Sequence, residues 1–189
     1  MNHIMIDLET MDNRPTAAIV AIGAVAFDPA TGEVDTDCAF YINIDLQSSL
    51  DAGLTVSGST INWWLQQSEA ARKDITAPGE QLHMALFEFS QWLHRYNVAA
   101  CGPHDDALAH HLNIWGNGSD FDNVILANAY HATEQLVPWG PFRNRCYRTL
   151  KKLAPTVQLE RMGTHHNAKH DAITQAHHAV RLLQHLEAA

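Results

Sequence analysis

The sequence is short of positive charge. Its 12 Lys and Arg residues stand against 21 Asp and Glu, a formal net charge of −9 over 189 residues. Nonspecific affinity for polyanions comes from basic surface, so this balance excludes a broad basic groove. It does not exclude a site that grips a few nucleotides where bound cations offset local carboxylates. Cysteine is scarce as well. Cys38, Cys101 and Cys146 are scattered, odd in number and without metal-type spacing, which argues against a disulfide framework and a zinc ribbon. No apolar run approaches the roughly 20 residues of a membrane span, and no basic region leads into an apolar core and cleavage site at the N-terminus. A soluble, cytoplasmic chain with no membrane partner is expected. Repeats, low-complexity tracts and linkers are also missing. With 46% hydrophobic and 17% charged residues, the chain suits one domain, residues 1–189, around one sizeable core.

Histidine is abundant, with 13 residues. His104, His110 and His111 fit no defensible ligand spacing, so a hydrated loop is expected there.

The most informative stretch is His3-Ile4-Met5-Ile6-Asp7-Leu8-Glu9-Thr10. It reads as a buried strand that ends in two acids one residue apart. Alternate strand side chains share a face, so Asp7 and Glu9 emerge together, roughly 6 to 7 Å apart. Burying unpaired carboxylates is costly, and a divalent cation held by oxygen ligands is the plainest compensation.

Downstream, Thr10 to Thr16 is polar, and Ala17 to Phe27 reads as a central strand rich in Ile and Val. A turn at Asp28 to Glu33 then leads to strand character over Cys38 to Ile44, an antiparallel neighbour. Residues 45–58 read as irregular, and Ser59 or Thr60 as the cap of a helix through Trp63, Trp64 and Leu65. Leu82, Leu86, Phe89 and Leu93 mark an amphipathic helix to about Tyr96. Leu112 to Trp115 reads as a short strand, Gly116-Asn117-Gly118 as a turn, and Ser119 as the N-cap of a helix to about Tyr130. Arg145 to Leu153 reads as a short helix. From Ala168 to Leu186 one helix carries Ala168, Ala172, Ala176, Ala179, Leu183 and Leu186 on a stripe, small enough at the alanines to lie close on a sheet. The order suggests an α/β domain with a mixed sheet.

Two further acids sit where chemistry is usually placed. Asp122 follows the turn at the carboxyl end of a strand, where ligands bind in open α/β sheets, although Ser119-x-x-Asp122 also matches a capping box. Asp120 shares that ambiguity. Asp171 lies in the first turn of the last helix, five residues after His166, where a carboxylate could equally serve the helix dipole.

Together, Asp7-Leu8-Glu9-Thr10, Asn117-Gly118-Ser119-Asp120-Phe121-Asp122 and His166-Asn167-Ala168-Lys169-His170-Asp171 resemble the three ordered motifs of the DEDDh 3′→5′ exonucleases. These have the ribonuclease H-like fold, a mixed central sheet flanked by helices. The nearest likeness is to the phage and prophage branch often labelled exonuclease VIII-like, through Trp115-Gly-Asn-Gly ahead of Phe121-Asp122, Arg148-Thr149-Leu150 and His166-Asn167-Ala168. It spans residues 4 to about 180. Lys169-His170 departs from the usual apolar-acid pair before the last acid.

The resemblance implies a metal-dependent 3′→5′ exonuclease releasing nucleoside 5′-monophosphates, with DNA slightly ahead of RNA. It places metal ligands on Asp7, Glu9, Asp122 and Asp171, and the general base on His166. Two Mg²⁺ or Mn²⁺ ions are implied per site, with Asp7 bridging, Glu9 and Asp171 completing one site and Asp122 serving the other largely through water. Thr10 and Met11 are the implied contacts to the terminal nucleotide; separately, Trp63 and Trp64 suit a stacking face for a base, and Arg148 a phosphate contact. For Trp63 and Trp64 a core role is the competing reading, and for Arg148 a helix-dipole role. The partner is a single-stranded or 3′-ended DNA or RNA, and a homodimer is one assembly the sequence leaves open. The rival readings are a non-catalytic module that binds nucleotides or strand ends, an internal nuclease of the same fold, and a structural metal-binding protein.

Overall fold

The computed structural model describes residues 1–101 and 111–188, and the side chains among them other than those of residues 100 and 101. In chain order the elements are β1 (His3–Thr10), β2 (Ile19–Asp28), β3 (Glu33–Val34), β4 (Phe40–Asn43), α1 (Leu46–Asp51), α2 (Gly58–Leu65), α3 (Glu69–Ile75), α4 (Leu82–Cys101), β5 (Asn113–Gly116), α5 (Asp122–Ala132), β6 (Asn144–Cys146), α6 (Tyr147–Leu153) and α7 (Ala168–Glu187). The strand order is β3-β2-β1-β5-β6, with β4 also on β2. β1 runs antiparallel to β2 along its whole length and parallel to β5 over His3, Ile4 and Met5. The sheet is therefore mixed, and β4 is the antiparallel neighbour of β2 expected from the sequence.

Period-two alternation sorts β1 between two cores. Ile4, Ile6 and Leu8 face a cluster with Ile22, Leu86, Phe89 and Ile125, built on α4 and α5. Met5 faces the opposite cluster with Val25, Phe27, Trp115, Ala172 and Ala176, built on α7. Asp7 and Glu9 follow Met5 in phase, so they project to the α7 side. Ala168, Ala172, Ala176 and Ala179 are fully buried, whereas Leu186 at the far end is 37% exposed.

Two glycines set how closely the helices approach. Gly23 is paired with Asp7, and a Cβ there would lie 2.1 Å from the Ala168 carbonyl carbon. Only glycine allows the start of α7 to sit on the sheet beside Asp7. At Gly116 a Cβ would lie 2.5 Å from Asn123 Oδ1 and 2.9 Å from Asp122 Cβ, so the same argument brings α5 against the end of β5.

Several local expectations are corrected. Residues 45–58 contain a capped helix, α1, with the Asp45 side chain accepting from the Ser48 N–H. The cap of α2 is Ser57, which accepts from the Thr60 N–H at 3.1 Å. α3 was not foreseen, and α4 runs past Tyr96 to Cys101. The helix expected from Arg145 begins only at Tyr147, because Asn144–Cys146 form a strand parallel to β5. Ser119 caps nothing: α5 starts at Asp122 with Phe121 in the cap position and no side-chain cap bond. His104 and His110 of the expected loop lie outside the described residues. Among the described residues no helix is long and apolar enough to cross a membrane.

Candidate active site

Because β1 and β5 are parallel, their carboxyl ends lie at the same edge of the sheet. Pairing between them stops at Met5, which leaves the β1 edge open beyond that residue. Asp122 closes it, its Oδ1 accepting from the Leu8 N–H at 3.3 Å. This bond, not a capping box, explains the acid at the start of α5. Asp122 is 3% exposed.

Asp171 is placed by the entry into α7. The Asn167 side chain caps the helix by accepting from the His170 N–H at 3.0 Å. Asp171 Oδ2 accepts from the His166 N–H at 2.9 Å, and Oδ1 is paired with the Arg161 guanidinium. His166 adopts φ 59°, a left-handed conformation costing a non-glycine residue of order 1 kcal/mol. Its ring stands nearly perpendicular to those of Trp63 and Trp64, at 4.9 and 6.0 Å between centroids. Trp64 is buried and donates from Nε1 to the Thr10 carbonyl at 2.9 Å, while Trp63 is 43% exposed. The tryptophan pair thus divides into one core residue and one surface residue.

A pocket of about 210 Å³ results, lined by Asp7, Glu9, Asp122, Asp171 and His166 together with Leu8, Asn117, Phe121, Arg148, His165 and Gln175. The five residues carried over from the three motifs converge here, and Arg148 joins them. Arg148 donates to the Asn117 carbonyl at 2.6 Å and lies in the first turn of α6, so a C-terminal dipole role does not account for it. Thr10 and Met11 are not in the pocket wall. The Thr10 hydroxyl donates to the Asp12 carbonyl at 2.8 Å, and Met11 packs against the core. Trp63 reaches the site only through His166.

The electrostatics are those of crowded acid. Burial pushes Glu9 up to about 8, aided by Asp171, Asp74 and Asp122. Burial raises Asp122 to about 7 against the backbone bond from Leu8. Asp7 is raised well above the ordinary carboxylate range by burial and by Asp122, Glu9 and Asp171. His166 is lowered by burial and by the charge of His165, with Asp171 opposing.

Three participants lie outside the residues expected from the sequence. Gln175 donates from Nε2 to Asp7 Oδ1 at 2.7 Å. It stands four residues after Asp171 on the same helical face, a spacing that could have found it. Arg161 reaches Asp171 from the preceding loop. Asp74 accepts from Tyr41 at 2.8 Å and from Asn167 at 2.9 Å, tying the start of α7 to α3 and adding negative charge near Glu9. Asn117, the first residue of the second motif, also lines the wall.

The residues fit a divalent cation. One carboxylate oxygen each from Asp7, Glu9 and Asp171 lie within 4.8 Å of one another. Two oxygens that ligate one ion at 2.0 to 2.6 Å are at most about 5 Å apart. Glu9 Oε1 and Asp122 Oδ2 are buried without a hydrogen-bond partner among the described residues, a costly state for an acid unless a ligand meets it.

The mixed sheet, with four acids and a histidine gathered at one edge, has the arrangement expected of the DEDDh exonucleases. Residues 2–183 match the 3′-5′ exoribonuclease Rv2179c-like domain, and the chain belongs to that family. It is 28% identical over 143 residues to an exodeoxyribonuclease of Enterobacteria phage T4, a match covering 72% of this chain and 59% of that protein. The chain thus spans about three-fifths of the length of this curated relative. Among solved structures it is similar to the nuclease domain of 3′hExo, a DEDDh family member bound to rAMP, with a TM-score of 0.59, 16% identity, and 97% of this chain and 92% of that one covered. A 3′-exonuclease that recognises a histone mRNA stem-loop gives a TM-score of 0.60 at 16% identity, over 97% and 81% of the two chains. The zinc-bound E. coli ExoI–ssDNA complex gives 0.59 at 12% identity, over 98% and 40%. These likenesses show the fold.

Proposed function

We propose that the chain, as one exonuclease domain over residues 1–189, hydrolyses the terminal phosphodiester bond at nucleic-acid 3′ ends in a divalent-metal-dependent reaction. The products are a nucleoside 5′-monophosphate and a strand one nucleotide shorter with a free 3′-hydroxyl. The convergence of the Asp7, Glu9 and Asp171 oxygens within 4.8 Å, in one pocket with Asp122 and His166, carries this reading. Asp7, Glu9 and Asp171 would hold one Mg²⁺ or Mn²⁺ and Asp122 would serve a second with Asp7. When bound, the ions offset charge on the attacking and leaving oxygens.

The remaining steps belong to the chain's own residues. Water attacks phosphorus in line with the bond to the 3′-oxygen, and that bond breaks as the new one forms. His166 takes the water's proton. Its lowered pKa keeps it unprotonated at neutral pH, as a base requires. Gln175 fixes the Asp7 carboxylate, and Phe121 and Leu8 supply an apolar wall. Trp63, 43% exposed and nearly perpendicular to the His166 ring, would offer a stacking surface to the terminal base. DNA is the first substrate to try and matched RNA the comparison, since the family description names an exoribonuclease and the phage relative an exodeoxyribonuclease.

The test is a 5′-labelled single-stranded oligonucleotide, DNA or RNA, in Mg²⁺, Mn²⁺ or EDTA. A ladder shortening stepwise from the 3′ end in metal, and none in EDTA, is expected. Internal fragments would instead make the chain an internal nuclease, and binding without cleavage would make it a strand-end binding module.

A further inference from the structure

The positive charge that is scarce overall is concentrated in one place. Of the 12 Lys and Arg residues, Arg143, Arg145, Arg148, Lys151 and Lys152 fall within ten consecutive positions, and no Asp or Glu occurs between Glu134 and Glu160. These residues lie on one continuous segment of chain, with Arg143, Arg145 and Lys151 partly exposed and Arg148 and Lys152 exposed. A 3-10 turn, Pro141–Arg143, leads into edge strand β6 and then α6. Tyr147 and Leu150 turn inward, while Arg148 and Lys152, one helical turn apart, are exposed. Arg148 is already part of the pocket wall. At the other end of the segment Phe142 is 90% exposed.

Structural roles account for only part of this cluster. Lys151 and Lys152 in the last turn favour the α6 dipole, and Lys151 lies 4.7 Å over the Tyr147 ring. Arg145 donates to the Phe142 and Asn144 carbonyls, and a charged edge strand resists pairing with other chains. None of these roles explains Arg143 or a bare phenylalanine beside it, and Arg148, which donates to the Asn117 carbonyl, does so at the pocket wall. Among the described residues the ion pairs of 4 Å or less join Arg14 to Asp12, Arg161 to Asp171 and Arg181 to Glu160; none of these uses a cation of this segment, of which Arg148 acts at longer range on Asp122 in the pocket.

We propose that Phe142 to Lys152 is the track for a single-stranded polynucleotide, guiding the strand 5′ of the scissile bond away from the pocket. Arg148 stands at the pocket mouth, Arg143 and Lys152 meet phosphates, and Phe142 stacks on a base. Charge and an exposed aromatic ring in series are what sequence-tolerant single-strand binding uses. Continuity with the pocket through Arg148 selects the substrate strand, over an unrelated polyanion, as the occupant. The track rests on the exonuclease reading for its direction but not for its affinity.

The experiment pairs two substrates with one double variant outside the pocket, Arg143→Glu with Lys152→Glu, its melting temperature checked against wild type. A long fluorescein-labelled single strand, as DNA and as RNA, is bound in Ca²⁺ over a salt series and degraded in Mg²⁺. The p-nitrophenyl ester of thymidine 5′-monophosphate reports the pocket alone. The variant is expected to weaken strand binding about tenfold or more and to lower the salt slope by about 1.4, two single-strand phosphate contacts at about 0.7 each. Phe142→Ala is expected to weaken binding about tenfold without changing the slope. Ester hydrolysis stays at the wild-type rate in both. Unchanged strand binding, or an equal loss on strand and ester, would overturn the track. A wild-type protein that hydrolyses neither substrate, yet binds the strand with this same dependence on Arg143 and Lys152, would keep the track and overturn the exonuclease reading.

Discussion

Gln175 donates its side-chain amide to Asp7 Oδ1 across 2.7 Å, joining α7 to β1 between residues 168 positions apart. The bond fixes one oxygen of the most crowded carboxylate in the pocket, and the other amide atom, Oε1, is buried without a partner among the described residues. Groups that orient metal-binding carboxylates typically change metal affinity or activity by about 10- to 100-fold when removed. Gln175→Leu is therefore expected to lower Mn²⁺ affinity and turnover by about that factor while its metal-free melting temperature stays near wild type. Titration calorimetry with a parallel melt checks this. A fall in melting temperature with metal affinity intact would make Gln175 a packing residue only.

The raised acids make a prediction about pH in the absence of metal. Glu9 at about 8 and Asp122 at about 7 keep protons that the unfolded chain releases near 4.5 and 3.8. Their contribution to stability is complete below those unfolded values and is lost as pH rises through 7 and 8. The lowered histidines act in the opposite sense, but only below their ordinary value of 6.5. In EDTA the melting temperature is thus expected to fall between pH 7 and pH 8.5, and Glu9→Gln is expected to flatten that fall. A wild-type melting temperature that rises over the interval contradicts the assignment.

Trp63 and Trp64 should separate cleanly. Trp64→Ala removes a buried ring and its bond to the Thr10 carbonyl, and is expected to cost about 3 to 5 kcal/mol in chemical denaturation. Trp63→Ala leaves stability within about 0.5 kcal/mol and raises KM for a single strand. Equal effects of the two changes would mean that the pair is one structural unit.

His166→Ala is expected to lower turnover by about 10²- to 10⁴-fold, as loss of a general base does, with Mn²⁺ affinity kept. The wild-type rate should rise with pH to a plateau, with its midpoint below 6.5, because burial lowers the folded histidine from that value. Turnover in the variant equal to wild type removes His166 from the chemistry.

Much of this site was legible because its parts obey short-range rules. Asp7 and Glu9 announced themselves by interrupting an apolar strand, and Ala168, Ala172, Ala176 and Ala179 by their spacing on one helical face. What escaped depended on tertiary neighbours. Ser119 and Asp122 have the spacing of a capping box, yet the open β1 edge at Leu8 claims the Asp122 carboxylate. α1 and α3, of 6 and 7 residues, are too short to display a period. β6 has 3 residues, and its strand character comes from pairing with β5. Arg161 meets Asp171 through a loop whose sequence has no pattern. The basic run from Arg143 to Lys152 is visible in the sequence, but its meaning required Arg148 to be seen in the pocket wall.

Asp7, Glu9, Asp122 and Asp171 together would hold the divalent cations that drive 3′-end hydrolysis. Asp7→Asn tests this most directly, since the amide keeps the shape and removes the charge. Mn²⁺ titration and degradation of a 5′-labelled strand are measured on the same preparation. The account predicts that metal binding and stepwise shortening are lost together in a variant that remains folded. An Asp7→Asn protein that shortens the strand at the wild-type rate would contradict it.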